Sequence, residues 1–385
     1  MTKIAGIIAE YDPFHGGHAY HIAETKRLTG ADGVICVMSG PFVQRGGPAF
    51  LDKYARAEAA VRGGADLVLE LPPAGATASA EGFARSGVTT LAACGCVTDI
   101  SFGAETDELP LLERAAETLS DEALTADARA LMREGRSYAA ALAAALEKRD
   151  PAAARAIASP NNMLAVEYLK ALKRVPGAGE IRPLAVKRTG AAYHDESVAG
   201  EDFPSAASIR KAVLEGTYSG KEDYSLAIGP EQMAPLLAAK LRTLAHEGAD
   251  LCAYEDVSPD LAARILAASP FTMTYGELCG RAVTKAFTLA RVRRALTHVL
   301  LEIRKGDAAS PPRYLKVLAL REGSPAVRAF AERAVLPRVT KAADDSGDLA
   351  AGARFAQDLY LQMVFAAHGK ALPDDFRRSP FVLRR

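Results

Sequence analysis

The sequence predicts an α/β protein: a doubly wound parallel sheet in the first half, then a mostly helical C-terminal domain. Two observations carry this. Apolar runs without alternation (IAGIIA, GVICVM, DLVLEL) recur between helix-length segments in the first hundred residues. Strands buried on both faces of a parallel sheet read this way. Beyond about residue 216 strand-like runs thin out and helical patterns dominate.

The elements follow in order. A strand at 4–9 leads to a helix at 17–29, a strand at 33–38 to a helix near 52–63, and a strand at 66–71 stops at Pro72-Pro73. A helix near 79–93 precedes the short strand TDISFG. Residues 106–158 are alanine-rich and mixed in charge, which predicts a helical excursion from the sheet. SPNNMLAVEYLKAL, 159–172, opens on Ser-Pro and continues as a helix, and a strand follows at about 181–187. Ser205 is placed to cap the helix SAASIRKAVLEG. The α/β domain thus spans 1–216. The second domain, 217–385, carries predicted helices at 233–246, 258–268, 275–305, 310–322 and 353–367. No repeat of fixed period stands out.

Composition excludes several classes. At 385 residues and 49% hydrophobic content the chain is too long for one comfortable core. Lysine plus arginine balance aspartate plus glutamate at 47 each, so any nucleic-acid site must be a local patch. MTKIAGII resembles neither a signal peptide nor a membrane span, and no window reaches 18 uncharged apolar residues; no membrane partner is expected. Cys36, Cys94, Cys96, Cys252 and Cys279 are odd in number and scattered, which points to free thiols in a cytoplasmic protein rather than a zinc site.

The densest chemistry lies in AEYDPFHGGHAYH, where an apolar strand stops at Glu10 and a helix starts near Gly17. Gly16 and Gly17 permit close backbone approach, a helix N-terminus supplies N–H donors, and His15 and His18 lie one turn apart. Such an end suits the phosphates of a nucleotide. The residues alone also allow a metal pair completed by Asp12, or loop histidines that satisfy local bonds.

DPFHGGH after a strand resembles the HxGH signature of the nucleotidylyltransferase superfamily, and Ser205-Ala-Ala-Ser208-Ile-Arg210 resembles its second signature. AEYDPFHGGH, MSGPFVQRGGPA, DKYARAEAAVRGGADLVLELP, SFGAE, SPNNMLAVEYLKA and KRTGAAYHD together resemble the tRNA(Met) cytidine acetate ligase family, through residues 4–215 and more loosely through 284–303. The resemblance implies a nucleotidylyltransferase-like Rossmann domain that activates acetate with ATP, releasing pyrophosphate. The acetyl group then goes to N4 of the wobble cytidine of elongator tRNA(Met). It implies ATP and Mg²⁺ as cofactors, no DNA partner, and His15, His18 and Arg210 as catalytic residues. It implies nucleotide contacts from Ile7, Ile8, Ala9, Glu10, Tyr11, Asp12, Pro13, Phe14, His15, Gly16, Gly17, His18, Ala19 and Tyr20. Gly103, Asn161, Arg188 and Ser205 match the family's other contact positions, with Asn162 and Lys187 as open alternatives to their neighbours. Two positions depart from the common family form: Asp12 and Pro41 stand where asparagine is frequent.

Other residues carry expectations of their own. Gln44 and Arg45 should line the cleft, with Asp52 capping the helix that follows. Lys53 and Arg56 share a helical face that a role in the cleft and an ordinary solvated surface explain equally well, and Glu81 and Glu105 lie near strand ends, where a carboxylate could assist Mg²⁺ although neither is assigned to it. His194 is a possible base in a loop. In RAVTKAFTLARVRRALTHVLLEIRK, Arg291, Arg294 and His298 recur on one face with Lys285 and Arg293 nearby. This is the strongest basic cluster of the chain, and Lys285, Arg291 and Arg294 are the expected tRNA phosphate contacts. The competing activities are nucleotidyl transfer to a small phosphorylated acceptor and non-catalytic nucleotide or RNA binding.

Overall fold

The computed structural model describes residues 2–134, 136, 138–188, 204–345, 347 and 349–384. His194 lies outside the described residues. The first half runs β1 (Ile4–Ala9), α1 (Gly16–Thr29), β2 (Gly33–Ser39), α2 (Lys53–Arg62), β3 (Leu67–Leu71), α3 (Pro73–Ala76), α4 (Ala80–Ala93) and β4 (Asp99–Ala104). Four helices make the excursion: α5 (Leu109–Leu119), α6 (Glu122–Arg133), α7 (Tyr138–Arg149) and α8 (Pro151–Ala156). The chain returns through α9 (Pro160–Arg174), β5 (Arg182–Lys187) and α10 (Ala206–Leu214). Then follow α11 (Ala234–His246), α12 (Pro259–Ala268), α13 (Tyr275–Ala282), α14 (Leu289–Leu301), β6 (Leu315–Arg321), α15 (Pro325–Arg333), β7 (Arg338–Val339), α16 (Ala351–His368) and β8 (Phe381–Leu383).

The strands form one sheet in the order β5-β4-β1-β2-β3-β6-β7, with β8 also paired to β6. The first five are parallel, and β6 joins β3 antiparallel. β1 to β3 are buried along their length apart from Ala9, as strands covered on both faces must be. The chain order reverses between β1 and β4, which opens a crevice at their carboxyl ends. Helix α4 lies close over this point because Gly87 has no side chain: a Cβ there would sit 2.6 Å from Ile8 Cδ1.

Two expectations are corrected. Residues 310–322 are not helical: Leu315–Arg321 is β6, so the sheet takes strands from beyond residue 216. Leucine, alanine, lysine and arginine favour helices locally, but pairing along β3 decides the outcome. Nor is 275–305 one helix. Thr284 accepts from the N–H groups of Ala286 and Phe287 to make a turn, and Thr288 caps α14.

The helical half has its own core, around Leu237, Leu261, Leu296 and Tyr360, and Phe42, Val43 and Ala49 from the loop after β2 are built into it. That loop packs directly on α14: Gly46 has φ +77°, and a Cβ there would lie 2.4 Å from the Arg293 carbonyl carbon. No helix among the described residues is long and apolar enough to cross a membrane.

Candidate active site

The reversal of strand order opens into a cavity of about 430 Å³ lined from β1, the loop after β2, α1, α4, α9 and the start of α10. Both signature segments meet there, though they are almost two hundred residues apart.

His15 is the N-cap of α1, with extended backbone. Its Nδ1 accepts from Gly17 N at 3.1 Å, and its own N–H donates to His18 Nδ1 at 3.3 Å. The two histidines thus form a reciprocal capping box, a role usually filled by serine or threonine with glutamate. This bonding determines the tautomer. Each Nδ1 accepts, so each ring carries its proton on Nε2, and Nε2–H is a donor free of the helix. The rings lie 3.8 Å apart at 31°, and Tyr11 meets His18 edge-on at 4.9 Å. Burial holds both histidines neutral: His15 falls to about 4, and His18 lies well below its ordinary value, with His15, His21 and Arg188 adding to the shift. The pair therefore offers neutral N–H donors.

His21 was missed in the sequence, although it continues the spacing of three from His15 and His18. It lines the cavity, and burial with the Arg188 charge lowers it to about 4. Thr25 donates to the His21 carbonyl at 2.7 Å, so it accepts from Ser101, which in turn accepts from His21 Nε2 at 2.9 Å.

Three arginines bring positive charge. Arg210, one turn into α10, bonds the Asp12 carbonyl and lies 3.5 Å from Asp12 Oδ2. Asp12 Oδ1 accepts from Phe50 N at 2.6 Å. Both carboxylate oxygens of Asp12 therefore have positive or N–H neighbours, and the acid that replaces the common asparagine suits its surroundings. Arg188 lines the cavity, and a Cβ on Gly103 would come 3.4 Å from its Cγ. Arg45 sits at the mouth; burial lowers its pKa, Glu10 opposes this, and Arg210 and Arg293 add to it. Ser205 caps α10 by accepting from Ser208 N at 3.1 Å, so the first turn of α10 presents N–H groups to the cavity.

The structure separates the paired alternatives. Asn161 lines the cavity and donates to Glu105 Oε1 at 2.6 Å. Asn162 is buried, bonding Glu105 N and the Ala156 carbonyl. Lys187 is exposed and does not line the cavity, whereas Arg188 does. From the 7–20 segment, Ile7 to Asp12, His15 and His18 line it; Pro13, Phe14, Gly16, Gly17, Ala19 and Tyr20 do not. Phe83, Phe102 and Tyr168 form an apolar wall that sequence reading had not assigned.

Lys53 and Arg56 are buried, not solvated. Arg56 donates to the carbonyls of Leu51, Glu10, Ser39 and Gly40, tying the ends of β1 and β2 together. Lys53 pairs with Glu70 at 3.0 Å and Asp375 at 2.9 Å, and Asp375 also pairs with Lys316. On α14, His298 is fully buried, bonding the carbonyls of Glu255 and Thr77. Arg294 pairs with Asp256 at 2.7 Å, and Arg291 lies over Phe287. Lys285 is exposed on the connection before α14.

The family model of the HIGH Nucleotidyl Transferase matches residues 2–372. A tRNA(Met) cytidine acetate ligase of Thermoanaerobacter sp. (strain X514) is 35% identical over 381 residues, covering 94% of each chain. One of Syntrophotalea carbinolica is 36% identical over 362 residues, covering 88% of this chain and 84% of that one. The apo crystal structure of Thermotoga maritima TmcAL superposes with a TM-score of 0.87 at 28% identity, over all of both chains. The same protein bound with alpha-thio ATP gives 0.85 at 27%, again over all of both chains. With the histidine pair and the arginine-bearing helix converging on one crevice, and with matches that run the length of the chain, this protein belongs to the tRNA(Met) cytidine acetate ligase family of HIGH nucleotidyl transferases.

Proposed function

We propose that this protein activates acetate with ATP and then acetylates N4 of the wobble cytidine of elongator tRNA(Met), in the cytoplasm. The observation that carries the reading is the histidine capping box inside the switch-point cavity. Its two Nε2–H groups are set in place before any substrate arrives, so they stabilise charge growing on phosphate without reorganising. Arg188, Arg210 and the first turn of α10 line the same cavity and add positive potential to it. Asn161 and Gly103 line the same cavity, and we assign them as further nucleotide contacts.

In the first step an acetate oxygen attacks the α-phosphorus and pyrophosphate leaves. Acetate is already ionised near pH 7, so this step needs alignment and charge stabilisation rather than a base. In the second step the cytidine amine attacks the acetyl carbonyl and AMP leaves. Among the described residues no three His, Cys, Asp or Glu side chains converge to hold a metal ion. We therefore take Mg²⁺ to travel with the ATP phosphates, and no step is routed through it.

The nucleotide residues all precede residue 211, and we assign tRNA binding in part to the helical half, with exposed Lys285 as its first candidate contact. The test is exchange of labelled pyrophosphate into ATP. Exchange that depends on acetate and not on tRNA is expected, followed by N4-acetylcytidine in digested tRNA when tRNA is added. Exchange that requires a small phosphorylated acceptor instead would overturn the reading.

A further inference from the structure

Glu10 is an unexpected residue among arginines that face a triphosphate. It ends the strand-to-loop junction after β1 and lines the cavity. Gln44 N donates to its Oε1 at 2.7 Å, which holds the carboxyl in one orientation. Arg210 and Arg45 lie near enough to offset part of its charge. A carboxylate here repels both phosphate and acetate, so a direct contact with the phosphates does not explain it. The second step does have a use for it. The exocyclic amine of cytidine is a weak nucleophile and must lose a proton as the amide forms. We propose that Glu10 accepts that proton during acetyl transfer; the inference rests on the two-step reading above.

The step balances as follows. N4 bonds to the acetyl carbonyl carbon, and the bond from that carbon to the phosphate oxygen breaks. AMP leaves with the electron pair. One N4 proton passes to the Glu10 carboxylate and later to solvent.

The surroundings favour this division of labour. Burial, then the Asp12 charge, raises the Glu10 pKa, while Gln44 N, Arg210 and Arg45 oppose the rise. On α9, Tyr168 faces it closely enough for Glu10 to help push the phenol up. Arg56 of α2 reaches only the Glu10 carbonyl, and α4 contributes the apolar Ala80 and Phe83 to the cavity. Bound triphosphate adds negative charge and favours the neutral acid, which does not repel acetate. Departure of pyrophosphate removes that charge and favours the carboxylate, when a base is required.

The experiment compares wild type, Glu10→Gln and Glu10→Asp in two assays. One is acetate-dependent pyrophosphate exchange. The other is single-turnover transfer from synthetic acetyl-adenylate to elongator tRNA(Met), followed against pH. The Gln amide oxygen can still accept from Gln44 N, so the variant keeps the local bond. Expected for Glu10→Gln is a loss in transfer of about 10²–10⁴-fold. The acidic limb of its pH profile should vanish, and transfer should fall at least about tenfold further than exchange does. Glu10→Asp should keep the acidic limb at a reduced rate. Equal losses in both assays, or transfer at the wild-type rate with its acidic limb intact, would overturn the base. Absence of acetate-dependent exchange in the wild type would instead remove the functional reading, and the base with it.

Discussion

His15→Asn separates the two jobs that His15 performs. Its Nδ1 caps α1 through Gly17 N, and its Nε2–H is offered to the cavity. Asparagine is as good an N-cap as any residue, and its side-chain oxygen reaches the same amide. The bond from residue 15 N–H to His18 Nδ1 uses the backbone and survives. Helix stability should therefore change by less than about 0.5 kcal/mol, whereas His15→Ala should cost about 1 kcal/mol through the lost cap. Catalysis should fall in both, because neither side chain carries the distant donor. One preorganised donor to a charged transition state contributes about 10²–10³ in rate, or roughly 2.7–4 kcal/mol. The assay is the initial rate of acetate-dependent pyrophosphate exchange at saturating ATP, with urea denaturation of each variant alongside. A His15→Asn protein that exchanges within tenfold of wild type would refute the Nε2–H donor. One that loses as much stability as His15→Ala would refute the capping box.

The remaining predictions test electrostatics and the helical half. His15 and His21 are held near 4 against about 6.5 in an unfolded chain, so the unfolded state takes up protons first as pH falls. These two groups should leave stability unchanged above about pH 7 and lower it progressively from pH 6.5 towards 4. Ring-proton NMR titration of the free protein checks this, and midpoints near 6.5 for both would refute their burial. Asp375→Asn leaves Lys53 and Lys316 buried, with Glu70 as the remaining ion-pair partner of Lys53, and should destabilise by about 3–5 kcal/mol in denaturant titration; a loss under about 1 kcal/mol would mean that the cluster does not depend on the C-terminal segment. Lys285→Ala should leave stability unchanged and lower the salt slope of tRNA binding by roughly one unit. Arg294→Ala should cost about 1.5–3 kcal/mol by stranding Asp256, visible in the same denaturation assay. An unchanged affinity and slope for Lys285→Ala would place the RNA path elsewhere.

Local pattern made much of this protein legible. The unalternated runs of β1, β2 and β3 announce burial on both faces, and Asp52 and Ser205 announce helix starts, because strand burial and capping depend on residues a few positions apart. The HxGH and Ser-x-x-Ser-Ile-Arg segments were readable for the same reason. Only the tertiary structure decided what depends on distant partners. β6 is a strand because β3 offers its edge, with Lys316 opposite Glu70, although its residues favour a helix when taken alone. Lys53 reads as surface until Asp375, 322 positions away, comes to pair with it. Asn161 and Asn162 differ in role only because the N-terminal turn of α9 points one side chain into the cavity and the other into the protein. Arg294 and His298 share a basic stripe in the sequence, yet Asp256 and the carbonyls of Glu255 and Thr77 draw both inward. A charge carries no record in the sequence of the partner that will neutralise it. Helical and strand periodicity is written within one turn or one pleat, whereas burial of a charge is settled by whichever segment the fold brings against it.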